Sequence, residues 1–270
     1  MTDCKAFAKA IRLETLRVFE ARGFGHVGGA MSVVELLAAL YGKVMRVDPA
    51  NPADPERDRL VMSKGHAGPA LYATLALLGY FDKALLQTLN QPGTSLPSHC
   101  DRQRTPGIDM TTGSLGQGVS TAVGIALGQR LMGYPSRTYL IIGDGECNEG
   151  QVWEGLMLAA HKKLSNLTVF CDRNGQQLDG YVKNVLDTGD LAEKFAAFGF
   201  HTQTVGGHDT ERIVAAVNRA KAQTDLPQMI VLNTVKGYGC TFAEGVEFNH
   251  HIQFTPEQMK EALTYVEKNF

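Results

Sequence analysis

Apolar and polar positions along the 270-residue chain alternate between two periods. From Phe7 to Phe19 the apolar residues recur at helical spacing, and the glycines of ARGFGHVGGA then break the pattern. SVVELLAALYGKVM reads as a second helix with Ser32 as its N-cap. DRLVMS (58–63) predicts a short strand, and KGHAGPALYATLALLGYF predicts a loop passing into an apolar helix. Residues 90–112 are rich in Pro, Ser, Thr and Gly and show no period, which predicts one long loop; within compact domains such loops are usually functional or disordered.

The second half is more regular. A helix is expected from about Gly116 to Met132, and RTYLIIGD follows as a strand whose unbroken apolar run marks burial on both faces. After it come a helix (VWEGLMLAAHKK), a strand (LTVFCD), a helix (LAEKFAAFGF), a strand (HTQTVG), a helix (TERIVAAVNRAKA) and a strand (QMIVLNTV). A polar, glycine-rich tail leads to a last helix starting near Thr255. Strands alternating with helices of this length predict an α/β fold: a doubly wound parallel sheet with helices on both faces. No internal repeat or linker divides the chain, so residues 1–270 are expected to form one domain.

Composition narrows the function classes. An apolar content of 44% supports a large core, and a net charge of −2 gives no electrostatic footprint for nucleic acid or an anionic membrane surface. The five cysteines lack C-x-x-C spacing and read as small buried residues in a reducing compartment. The N-terminus has no continuous apolar core for export, and no apolar run is expected to reach the ~18 residues of a membrane span. A cytoplasmic location is the expectation.

The chemistry begins at IIGDGECNEGQVWEG, where a buried strand ends in an aspartate between two glycines. Open parallel sheets bind ligands at the carboxyl ends of their strands, beside helix N-termini. Gly143 and Gly145 let the backbone turn and approach a ligand closely, and the helix expected from near Gly150 points free N–H groups at the same crevice. Asp144 would repel a phosphate there unless a cation lay between them, so the arrangement suggests a divalent metal bridging the two. The next strand ends in DRNGQ, thirty positions on. Asn174 can offer its amide oxygen to the same ion and Gln176 its backbone carbonyl, a donor set suited to a hard cation such as Mg²⁺. Asp172 is the rival carboxylate.

Gly-Asp-Gly followed about thirty residues later by Asn resembles the thiamine-diphosphate-binding motif. Further segments narrow the resemblance to transketolases: GHVGGAMS (25–32), DRLVMSKGHAGPALYATLALLGY (58–80), PGIDMTTGSLGQGVSTAVGIALG (106–128), GDGECNEGQVWEGLMLAAHKKLSNL (143–167) and the TVKGYG region (234–239). The match runs in order through nearly the whole chain. A full transketolase is more than twice as long, so the chain looks like the N-terminal, diphosphate-binding subunit of a split enzyme.

The resemblance implies thiamine diphosphate with Mg²⁺ or Ca²⁺ as cofactors. It assigns the metal to Asp144, Asn174 and the backbone oxygen of Gln176, and the diphosphate to the N–H of Gly145. The backbone of Gly113 and Leu115 would lie against the aminopyrimidine. His26, His66 and His99 match family histidines lining the channel to the thiazolium, with His66 also meeting the cofactor, and an imidazole suits proton transfer to sugar hydroxyls near neutral pH. A fourth family histidine follows the KGxG turn; counting from Lys236 favours His250, with His251 open because the usual Trp and Gly flanks are missing from CTFAEGVEFNHHIQF. Lys236 is a candidate diphosphate contact. Glu149 matches a residue at the family's subunit interface, or else favours the helix N-terminus electrostatically. His161, His201 and His208 match nothing and are expected to be structural or surface residues.

The family's catalytic glutamate and its sugar-phosphate arginines belong to a pyrimidine-binding domain, expected here on a partner chain in an α2β2 heterotetramer. The implied reaction moves a two-carbon ketol unit from a ketose phosphate to an aldose phosphate. One rival is the α subunit of a 2-oxo acid dehydrogenase, which would not be expected to carry SKGHA, TTGSLGQG and GHVGG together. Another is a non-catalytic relic subunit, which would need neither the metal ligands nor the histidines. A dinucleotide-binding fold lacks its G-x-G-x-x-G opening.

Overall fold

The computed structural model describes residues 3–270. Its centre is a five-stranded parallel sheet made of β1 (Arg59–Met62), β2 (Thr138–Gly143), β3 (Leu167–Arg173), β4 (His201–Gly206) and β5 (Gln228–Asn233). The spatial order is β1-β2-β3-β5-β4. The doubly wound parallel sheet expected from the alternating pattern is thus present.

The unbroken apolar runs are explained by burial on both faces. In β2, Tyr139 and Ile141 enter one core with Phe170, Ile230 and Leu232, while Leu140 and Ile142 enter the other with Val169, Cys171, Met229 and Val231. The first core is closed by α1 (Cys4–Glu20), α2 (Val27–Met31), α3 (Val34–Ala39), α4 (Gly68–Leu78), α9 (Thr210–Ala222) and α10 (Pro256–Asn269). The second is closed by α5 (Gln117–Leu131), α6 (Gly150–His161) and α8 (Leu191–Ala197), with α7 (Val182–Val185) a single turn between the last two. All five cysteines are buried and unpaired, as small core residues.

Register positions the site. Gly143 pairs with Asp172, and Asp172 with Leu232, so the strand ends GDG, DRNG and NTVKG emerge side by side at one edge of the sheet. Thr255 caps α10 with a reciprocal capping box to Gln258, where the last helix was expected.

Two expectations are corrected. Ser32 is not an N-cap: GHVGGAMS is helical over Val27–Met31, and the Ser32 hydroxyl lies 2.7 Å from Asp172 Oδ2 instead. A tertiary partner 140 positions away outcompetes the local cap. The stretch Val27–Val44 is also long and apolar enough to span a membrane by length and composition, 18 residues with mean hydropathy 1.4, where no such run was expected. Of it, 89% is buried, and it breaks between α2 and α3 before ending in a wide turn over Leu40–Val44.

Candidate active site

At the carboxyl edge of the sheet lies a cavity of about 360 Å³, whose wall includes Asp144, Gly145, Asn174, Gln176, Lys236 and His250. Asp144 in its wall and the fully buried Asp172 beneath the same strand ends have opposite electrostatics. Asp172 is fully buried and saturated: Lys64 forms an ion pair with it, Asn174 Nδ2 donates at 2.9 Å, and the Ser32 and Thr234 hydroxyls complete the set. Burial pushes its carboxyl up, but the Lys64 ammonium and these donors more than offset this and hold it below the ordinary value. Among the described residues Asp144 receives only the N–H groups of Gly145 (2.9 Å) and Gly175 (2.7 Å). Burial, then the Asp172 charge, push it up from 3.8 to about 6. Of the two rivals for a cation, Asp144 is therefore the one with uncompensated charge.

Asn174 lies beside it, bonding Asp172 through Nδ2 while its Oδ1 accepts the Gln176 N–H at 3.0 Å and keeps a second lone pair. The short ribbon of Gln176–Gln177 against Gly180–Tyr181 folds this segment over the cavity. The buried Oε1 of Gln176 has no hydrogen-bond partner among the described residues. A Cβ on Gly145 would stand 2.6 Å from Gln177 Cβ, which explains the glycine there.

Glu146, not singled out from the sequence, ties three segments together. Its carboxylate accepts from Ser63, from Gly116 N (2.8 Å) and from Gly143 N (3.2 Å), joining the SKGHA, TTGSLGQG and GDG blocks. Burial pushes this carboxyl up despite those donors. The blocks also touch directly: a Cβ on Gly65 would lie 2.8 Å from Gly113 N and from the Thr112 carbonyl. Backbone cannot give way as a side-chain tip can, so Gly65→Ala is expected to cost about 1–3 kcal/mol, read as a lower urea midpoint. Leu115 lines the cavity, and Gly113, at φ 143°, packs against His99 and Gly65.

The histidines converge. His26 sits 5.8 Å from His66, 5.2 Å from His99, 5.3 Å from His250 and 4.8 Å from His251, ring centre to ring centre, and His66 is 4.5 Å from His250. Burial, then neighbouring positive groups, lower His26 to about 4 and His250 to about 3, and hold His66 well below its ordinary value. Burial also lowers His99. All four are neutral imidazoles at pH 7, each with one nitrogen able to accept a proton. His251 is exposed and leans on Phe24, so His250 is the one facing the cavity. The ribbon pairing Gly25 with Ile252 decides this, since it brings the two ends of the chain together beside His26.

Lys236 is 2% exposed, with Nζ 3.4 Å from both His250 Nδ1 and the Gln177 carbonyl. Burial, then Lys64, lower it to about 8. Glu149 is exposed on the cavity rim at the N-cap of α6 and makes no capping bond. Lys64 and Glu146 are the residues missed; each is a charge at the end of an apolar strand, the signal that flagged Asp144. His161 is exposed and His201 half-buried, whereas His208 makes two hydrogen bonds in a buried cluster.

The family profile described as transketolase, thiamine diphosphate binding domain, matches residues 4–266. The chain belongs to the transketolase family. This transketolase chain is 53% identical over 266 residues to the 6-deoxy-6-sulfo-D-fructose transketolase subunit of Clostridium sp. (strain MSTE9), covering 98% of itself and 97% of that relative. It is 37% identical over 246 residues to an apulose-4-phosphate transketolase subunit from Actinobacillus succinogenes, covering 90% and 88%. It superposes on transketolase from Leishmania mexicana with a TM-score of 0.94 at 32% identity, covering 99% of this chain and 42% of that one. It therefore spans under half of a full transketolase chain and most of the relatives named as subunits.

The residues present fit a diphosphate with its cation. A buried carboxylate carries charge that its surroundings oppose, a buried amide oxygen lacks a partner, and a glycine leaves the backbone bare between them. The Lys236 ammonium borders the same cavity.

Proposed function

We propose that this chain, as one diphosphate-binding domain over residues 1–270, is the N-terminal subunit of a heteromeric transketolase. The enzyme moves a two-carbon ketol unit from a ketose to an aldose. The observation that carries this reading is the single cavity joining Asp144, Asn174 and Gln176 to His66, Lys236 and His250. In it, the Asp144 carboxylate, the Asn174 amide oxygen and the Gln176 backbone carbonyl hold Mg²⁺ or Ca²⁺. The Gly145 N–H, Lys236 and His250 meet the diphosphate, and the backbone of Gly113 and Leu115 meets the aminopyrimidine. Bound there, thiamine diphosphate supplies the carbon nucleophile and electron sink of ketol transfer. The chain's own part is to orient it and move protons: His26, His66, His99 and His250, neutral at pH 7, take protons from sugar hydroxyls and return them.

The reading places the pyrimidine-binding domain and its catalytic glutamate on a partner chain in an α2β2 assembly in the cytoplasm. Glu149, exposed on the rim, is a contact for that partner. The printed substrates of the two subunit relatives carry a sulfonate and a phosphate, so a ketose with an anionic end is the donor class, with the sulfonated sugar favoured by the higher identity.

The test is reconstitution with a chain carrying the pyrimidine-binding domain, and a screen of 6-deoxy-6-sulfo-D-fructose and xylulose 5-phosphate against aldose phosphates. The pair is expected to transfer ketol groups and the chain alone to give no turnover above background. Transfer by the chain alone at the rate of the pair would overturn the split-subunit reading. Decarboxylation of a 2-oxo acid by the pair would favour the dehydrogenase alternative.

A further inference from the structure

Behind the cavity lies a second cluster of charged and aromatic side chains. Arg12, fully buried, forms an ion pair with Glu35 and lies over the rings of Tyr238 (5.1 Å) and Phe270 (4.5 Å). The other Glu35 oxygen is 3.1 Å from His208 Nδ1. His208 stacks on Tyr238, with ring centres 3.7 Å apart and planes 18° from parallel, and its Nε2 accepts the Val235 N–H at 2.8 Å. An Nε2 that accepts must be unprotonated, so the ring proton of neutral His208 sits on Nδ1 and is donated to Glu35. Glu35 thus fixes the tautomer, and Arg12 fixes Glu35.

The residue held by this chain of contacts immediately precedes Lys236. The turn is pinned again where Gly237 N donates to Gly28 O at 2.9 Å and where Arg12 donates to the Tyr238 carbonyl. Between these pins Lys236 turns its Nζ toward His250 and Gln177.

We infer that His208 is a positioning residue for Lys236: the series Arg12, Glu35, His208 holds the 235–238 turn so that the Lys236 ammonium stays in the cavity. The inference rests on the reading of Lys236 as a diphosphate contact. It explains why a histidine outside every family motif is bonded at both ring nitrogens.

The test measures the dissociation constant of thiamine diphosphate with Mg²⁺ by calorimetry on the co-expressed complex. Lys236→Met and His208→Leu are each expected to weaken uptake about tenfold, and the double variant no further than Lys236→Met alone. His208→Gln, which keeps an acceptor within reach of the Val235 N–H, is expected to recover uptake to within about threefold of the parent, the scale of one hydrogen bond. If His208→Leu fails to fold, His208→Phe carries the same test, because it keeps a ring against Tyr238 but offers no acceptor to the Val235 N–H. Unchanged uptake in His208→Leu beside weakened uptake in Lys236→Met overturns the positioning role and leaves the Lys236 reading standing. Unchanged uptake in Lys236→Met overturns both. Additive losses in the double variant also overturn the positioning role, since His208 would then act on something other than Lys236.

Discussion

Replacing Lys64 with methionine is expected to destabilise the chain by about 3–5 kcal/mol, the usual consequence of stranding one member of a buried ion pair. Lys64 is 1% exposed and Asp172 fully buried, so no solvent screens the charge left behind. The remaining donors to Asp172, from Ser32, Asn174 and Thr234, are neutral and cannot replace an ammonium. The loss is read from urea midpoints with the slope checked for constancy. The control is Lys64→Met combined with Asp172→Leu: removing both charges leaves no stranded ion, so the double variant is expected to recover most of the loss. A single-variant loss under about 1 kcal/mol would mean that the pair is not what neutralises Asp172. The same substitution bears on the site, because the Asp172 charge helps push Asp144 up.

Three strands, Thr138–Gly143, Leu167–Arg173 and Gln228–Asn233, were legible because burial on both faces leaves a continuous apolar run. The edge strand His201–Gly206 was legible because it falls in the strand-helix alternation, and the observed ends of all five strands fall within about two residues of those read from the sequence. The nearness of Asp144 and Asn174 was legible for a related reason: one strand-helix-strand unit returns the chain to the same sheet edge, and Gly143 and Asp172 prove to be register partners. What escaped was set by contacts between distant segments. Glycines in GHVGG suggested a break, yet Val27–Met31 is helical, and the glycines are there because close packing leaves no room for larger residues: a Cβ on Gly28 would meet Asn249 at 2.6 Å, and one on Gly29 would meet His66 at 2.8 Å. His250 and His251 could not be separated by counting, because a two-residue ribbon to Phe24–Gly25 decides which one faces inward. Lys64 was hidden for the same reason; nothing local tells that its ammonium meets a carboxylate 108 positions on.

Asp144→Asn is expected to stabilise the metal-free chain at pH 7.5 while abolishing its magnesium-dependent uptake of thiamine diphosphate. The carboxyl titrates at about 6 in the folded chain against 3.8 as its ordinary value. Between these values the folded state keeps a proton that the unfolded state has released, so the contribution of this one group to stability is full below about pH 4, falls as pH rises to about 6, and is flat above. The difference of roughly two units corresponds to about 3 kcal/mol. Asparagine removes that burden but offers one oxygen to the N–H groups of Gly145 and Gly175, which returns about 1 kcal/mol. A net gain of about 1–2 kcal/mol at pH 7.5 is the expectation, from urea unfolding in a chelator, with the difference between variant and parent developing between pH 4 and 6. Calorimetry on the co-expressed complex is expected to show uptake weakened more than about a hundredfold, because a neutral amide is a far poorer ligand for a hard cation than a carboxylate. Uptake equal to that of the parent would remove the metal from Asp144 and the central assignment with it. Lost uptake without the stability gain would keep the ligand but deny that its buried charge is a burden on the fold. Both effects together would show an aspartate kept against the fold's own stability, because a cation and its diphosphate supply the charge balance that the surrounding protein withholds.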